Sequence, residues 1–124
     1  MNYLPNIIAD KLRHARHRIE LQSRVTGDAA PREANGEVIQ DFTTYAKPFA
    51  CVEPLNGREM ERAKSYGPEV SHKITLRYLA GVTAQHIALF EGRRLLINAA
   101  IRPNEVPQYL ELYCSEFPGV AGGR

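Results

Sequence analysis

The sequence predicts a mainly β fold, a small antiparallel β-barrel of about six strands with a short helix inserted between strands 2 and 3. Three observations predict it. Several short stretches alternate apolar and polar side chains with period two, Gly, Pro, Asn and Asp cluster between them, and one charged run of good helix formers interrupts the series near residue 60. At 124 residues the chain is expected to form one domain over 1–124, long enough to bury about 65% of the surface its unfolded form exposes. Its 44% hydrophobic and 24% charged residues place it among ordinary globular proteins.

Residues 1–15 carry Ile7, Ile8 and Leu12 at helical spacing behind a capping Asn6, so a short N-terminal helix is expected there. Over 16–25, Ile19, Leu21 and Val25 alternate with Arg18, Glu20 and Arg24, which makes the first strand. Gly27, Asp28, Pro31, Asn35 and Gly36 then predict a mobile surface loop. The stretch 41–52 is rich in Thr, Tyr, Phe and Val and reads as the second strand, stopped at Pro54 because proline cannot donate to a ladder.

Asn56-Gly57 supplies turn chemistry, and 58–65 forms a short helix ended by Gly67-Pro68. Met60, Ala63 and Tyr66 give this helix only a thin apolar stripe. Such a helix is shorter than the ~12–15 residues that are marginally stable alone, so it must lean on a neighbour. The third strand, 71–78, is expected to turn Ile74, Leu76 and Tyr78 inward and Lys73, Thr75 and Arg77 outward. Stretches 85–90 and 94–101 form a hairpin around Glu91-Gly92, with Leu95, Ile97, Ala99 and Ile101 on one face. Pro103, Asn104 and Pro107 break the ladder, and 109–115 closes the sheet with Leu110, Leu112 and Cys114 inward and Tyr109, Glu111 and Tyr113 outward. A Gly-rich tail over 116–124 is expected to be flexible.

A formal charge of +2 is too small to announce a nucleic-acid binder, but Lys11, Arg13, Arg16 and Arg18 crowd one segment together with His14 and His17. That cluster suits DNA or an acidic protein surface, and equally a solvated lead-in to the first strand. Cys51 and Cys114, far apart within expected strands and with no signal peptide in view, argue for reduced, packed thiols in a cytoplasmic setting. No apolar run approaches the ~18–20 residues of a membrane span.

The motifs of catalysis are missing: no phosphate-binding Gly-rich loop, no serine elbow between glycines and no cysteine pairs at zinc spacing. His14 and His17 have no carboxylate or cysteine beside them to complete a metal site. Glu59 and Glu61, two apart, do not share a helix face and make a poor acid/base pair. Neither an enzyme nor a cofactor is expected.

The pieces LRHARHRIEL, DFTTYAKPFACVEPLNGRE, HKITLRY, GVTAQHIALFEGRRLLINA and YLELYCSE, in this order and spacing over about 12–116, resemble the head–tail joining proteins of long-tailed phages, the head-completion or stopper family. VEPLNGRE, ITLRY and FEGRRLLI carry most of the likeness. The resemblance implies a β-barrel subunit of a homo-oligomeric ring, a dodecamer, in the virion at the head–tail interface after assembly in the host cytoplasm. Its partners would be the portal or adaptor protein, a tail terminator or tail-tube protein, and packaged double-stranded DNA, with no membrane. It further implies that the excursion over 53–70 faces the channel, so that Arg58, Arg62 and Lys64 meet phosphates while Glu59 and Glu61 repel them or pair with neighbouring subunits. The basic residues Lys11, Arg13, Arg16 and Arg18 would contact the adaptor or another partner.

Two features depart from the family pattern: Phe42 stands where tryptophan is common, and the N-terminal extension runs past the usual start. A helix carrying Ile7, Ile8 and Leu12 that docks on the adaptor ring is one reading of that extension. Two other readings compete. One is a small barrel that binds nucleic acid through the basic segment, with Tyr45, Tyr66, Tyr109 and Tyr113 as stacking residues. The other is a tail-completion protein of similar fold.

Overall fold

The computed structural model describes residues 16–24, 42–103 and 108–116. The expectations for 1–15, for the loop 26–37 and for the tail beyond Glu116 lie outside the described residues. Among those described are eight strands and one α-helix: β1 (His17–Arg18), β2 (Glu20–Arg24), β3 (Phe42–Ala46), β4 (Phe49–Pro54), α1 (Gly57–Ala63) with a 3-10 turn Lys64–Tyr66, β5 (His72–Arg77), β6 (Ile87–Phe90), β7 (Arg93–Ile101) and β8 (Tyr109–Glu116).

Eight strands replace the expected six because two expected strands each break in the middle. The second breaks at Lys47-Pro48, where Pro48 has no N–H for a ladder, and its carbonyl instead accepts from the Ile19 N–H at 3.1 Å, in the gap between β1 and β2. All pairings are antiparallel, in the order β1-β4-β5-β8-β7-β6-β2-β3. The two broken segments pair with each other at both ends of this order, β1 with β4 and β2 with β3. The sheet therefore curls back on itself around one core.

That core holds the fully buried Ile19, Leu21, Ile74, Leu76, Leu95, Ile97 and Leu112. Each such side chain contributes about 1.5–3 kcal/mol relative to its exposed state. Cys114 is buried among them, its thiol pushed up to about 12 by burial, and both cysteines are free. The β6–β7 turn places Glu91 and Gly92 at φ 53° and 79°, the two positive values that a tight hairpin turn needs.

Two expected side-chain orientations and one expected exposure are corrected. Tyr78 is exposed beyond the end of β5, and Thr75 is fully buried between its neighbours on the outward face. In β7 a register shift between Ile97 and Ala99 leaves Asn98 as the extra residue of a bulge, and beyond it Ala100, not Ala99, packs on the core. Glu116, expected in the tail, is the last residue of β8 and pairs with Leu95.

Candidate functional site

The chain leaves the sheet at Pro54 and returns at His72, its direct partner across the β4–β5 ladder. The feet of the excursion are pinned together: the Leu55 N–H donates to the Ser71 carbonyl at 2.9 Å, and the Ser71 N–H to the Cys114 carbonyl at 2.8 Å. Between them Asn56, extended at φ −87° and ψ 178°, caps α1. Its Oδ1 accepts from the Glu59 N–H at 3.0 Å while the Glu59 carboxylate accepts from the Asn56 N–H at 3.3 Å. This reciprocal box satisfies two backbone donors that the first turn leaves open.

Underneath, Leu55, Ala63 and Val70 form a small apolar cluster against Tyr113, separate from the main core. Of the apolar stripe Met60, Ala63 and Tyr66, only Ala63 is buried, at 1% exposure. Tyr66 instead stacks on Tyr113, ring centres 4.7 Å apart and 23° between planes. The contact is incomplete: a cleft of about 220 Å³ remains between Glu59, Arg62 and Ala63 of the helix and Lys73 and Tyr113 of the sheet. Lys73 bridges to Glu111 at 3.6 Å. The Tyr113 phenol is pushed up to about 12, mainly by burial and then by the nearby Glu111 carboxylate, so it stays neutral.

Arg58, Glu59, Glu61, Arg62 and Lys64 are all exposed on this excursion, but their charges are not equally available. Glu59 is held in the cap, and Glu61 pairs with Lys64 at 3.3 Å. Arg58 and Arg62 form no ion pair among the described residues, and four positions apart they share one helix face. The sequence reading missed Asn56 as the cap, although Asn three residues before Glu is the pattern that signals one.

Of the basic N-terminal cluster, Lys11 and Arg13 lie outside the described residues. Arg16 is exposed, and Arg18 sits opposite Phe49 with its guanidinium 4.3 Å from the ring centre. His17 is turned inward: its Nδ1 accepts from the Val52 N–H at 3.2 Å and its ring meets the Phe90 ring edge-on at 5.0 Å. The aromatics considered for base stacking are dispersed. Tyr66 and Tyr113 occupy each other's faces, Tyr45 in β3 hydrogen-bonds His86 at 2.8 Å, and Tyr109 begins β8.

A second polar cluster that sequence reasoning missed joins β5, β7 and β8. Arg93 donates to both oxygens of Glu116 at 3.0 Å and to Nε2 of His72 at 3.2 Å, and His72 Nδ1 lies 2.8 Å from Ser71 Oγ. An Nε2 that accepts from a guanidinium belongs to a neutral imidazole with its proton on Nδ1. His72 therefore donates to the serine hydroxyl and cannot draw a proton from it, and burial together with Arg93 holds its pKa below the ordinary histidine value. The pair is a structural tie, not an activated nucleophile. Among the described residues no group of three or more His, Cys, Asp or Glu is placed to hold a metal ion, and no helix is long and apolar enough to cross a membrane.

Comparison with known proteins places this geometry. No curated protein matches the sequence. Among solved structures, the solution structure of protein SF1141 from Shigella flexneri 2a superposes with a TM-score of 0.63 at 22% identity, covering 85% of this chain and 95% of the other, a likeness of fold. The sequence matches the family described as phage head completion protein over residues 11–116. That span takes in every strand among the described residues, the capped helix and the Arg93–Glu116–His72 cluster, and the chain belongs to the phage head completion protein family.

Proposed function

We propose that this chain is a structural subunit of the phage neck, forming a ring, a dodecamer, below the portal and adaptor. There it helps retain packaged DNA and gives the tail terminator or tail-tube protein a surface to dock on. In this reading 53–70 faces the channel. The observation that carries it is the state of charge on α1: Arg58 and Arg62, without an ion pair among the described residues, share a face, while one glutamate is spent in the cap and the other on Lys64.

A ring of such helices presents two guanidinium groups per subunit toward a DNA backbone, and each phosphate neutralised adds about 0.9 to the salt slope of the interaction. Mobility fits the same role. One buried alanine, two flanking aliphatic residues and a single ring stack hold α1 over an incompletely filled cleft. A segment with so few buried contacts belongs to the least stable part of a fold. No catalysis and no cofactor enter the proposal.

The test is to disrupt this gene in its phage or prophage, then measure nuclease-protected DNA in the heads and image the same lysate. Heads that package and then leak, beside unattached tails, are expected. Normal tailed, infectious particles would overturn the assignment and bring forward the nucleic-acid-binding reading.

A further inference from the structure

At the end of the sheet away from α1, the outward faces of four neighbouring strands carry arginines and aromatic rings. Arg18 of β1 stacks on Phe49 at the start of β4. Arg77, the last residue of β5, pairs with Tyr109, the first of β8. Cys51 and Thr75 are direct partners across β4 and β5. Phe49 and Arg77 each lie two residues beyond that pair, toward the same end and on the same face, because the strands are antiparallel and side chains alternate. Just past β5 and β7, Arg102 lies 3.9 Å from the centre of the Tyr78 ring, and the Tyr78 N–H donates to the Gln108 carbonyl at 2.8 Å.

Single exposed apolar side chains are ordinary. Here Phe49, at 55% exposure the most open large hydrophobic side chain among the described residues, shares one face with Arg18 and Arg77, and Tyr78, at 42%, stands with Arg102 just past the end of β5. Aromatic residues and arginine are the types that concentrate binding energy in protein interfaces. Neither Arg18 nor Arg77 has a carboxylate partner among the described residues, and Glu111, one register step further in, is held by Lys73. Stacking also fixes the guanidinium of Arg18 in advance, which lowers the entropy cost of engaging it.

We propose that Arg18, Phe49, Arg77 and Tyr109 form a docking surface for a partner protein that presents carboxylates around an apolar side chain. Single-stranded nucleic acid fits worse, because a guanidinium already covers a face of Phe49 on which a base would stack. A duplex would engage the guanidinium groups and leave the Phe49 ring idle. The proposal rests on the neck reading, within which the partner is an adjoining virion protein. From Lys73 beside α1 to Arg77 is four residues, about 13 Å of strand, so docking and the channel-facing helix occupy separate ends of one face.

The experiment adds purified full-length chain to the heads and free tails of a gene-disrupted lysate and counts tail-joined heads by electron microscopy. If the wild-type chain restores none, the neck reading falls. If it restores them, Phe49→Ser and the double variant Arg18→Glu/Arg77→Glu should each restore at least about tenfold fewer. Arg24→Glu, an exposed reversal in β2, should match wild type. Amide NMR spectra check that each variant is folded. Restoration within twofold of wild type by both surface variants would overturn the docking surface while leaving the neck reading intact.

A photoreactive benzoylphenylalanine at position 49 decides the surface independently in the same lysate, whichever way restoration goes. Capture of a peptide with carboxylates flanking an apolar side chain, identified by mass spectrometry, supports the proposal. Capture of DNA, of a second copy of this chain, or of nothing overturns it.

Discussion

Two residues at the return foot of the excursion, Gly67 and His72, set conditions on the fold. Gly67 has φ 156°, and a methyl group there would sit 2.9 Å from Nδ2 of Asn98, the bulge residue that accepts from Ser115 Oγ. Gly67→Ala should therefore cost about 1–3 kcal/mol, part from the backbone and part from the displaced amide. In an Asn98→Ala background the two losses should fall short of additive, which denaturant unfolding of the four chains of the cycle measures. His72 contributes to the response to acid. Burial and then Arg93 lower its pKa, with Glu116 opposing. Below about 6.5, the ordinary histidine value, the unfolded chain binds a proton that the folded chain refuses, so stability falls as pH drops toward the folded pKa. His86, lowered by burial, acts in the same direction and window. Glu116, lowered chiefly by its bond to Arg93, adds a further loss at lower pH, as its carboxylate protonates. An NMR titration should place His72 below the ordinary value, and Arg93→Gln should move it up; an unchanged midpoint in that variant would remove Arg93 as a cause.

At the scale of the element, α1 depends more on its cap than on its apolar face. Asn56→Ala removes an acceptor that no other group replaces and should cost about 1 kcal/mol. Because the helix rests on a cluster separate from the main core, the loss should be local. Hydrogen exchange should speed up at the Glu59 and Met60 amides while those of β7 and β8 keep their protection; uniform acceleration would mean that α1 and the sheet open together. The helix itself was legible in the sequence, since 58–65 holds helix formers between Asn56 and Gly67. Its underside was not, because the Tyr66–Tyr113 stack joins residues that only the β5–β8 register brings near. The same limit explains the strands. Leu110, Leu112 and Cys114 alternate without interruption and read correctly. The Asn98 bulge and the break at Pro48 shift the register within runs whose composition still reads as continuous strand. The Arg93–Glu116–His72 tie spans three strands and left no local signal.

For the whole molecule, the two proposed tasks fall at opposite ends of one sheet face, with exposed guanidinium groups over the α1 end and an arginine–aromatic surface at the other. The neck reading assigns DNA to the first, and charge reversal there tests it. Arg58 and Arg62 are exposed and touch no carboxylate among the described residues, so Arg58→Glu/Arg62→Glu should leave the unfolding midpoint of the isolated chain where it is. Particles built with this variant should still join tails, because the opposite end is untouched, yet hold less nuclease-protected DNA than wild type. Glu61→Lys frees Lys64 and adds a cation, so its particles should retain DNA at least as well as wild type. Both effects should shrink as ionic strength rises, since counterions compete for phosphate. Retention that is equal across wild type, the double reversal and Glu61→Lys, in particles that join tails normally, would mean that α1 does not face the DNA. The excursion over 53–70 would then have to be sought at a contact between subunits, where Arg58 and Arg62 would meet carboxylates of a neighbouring copy.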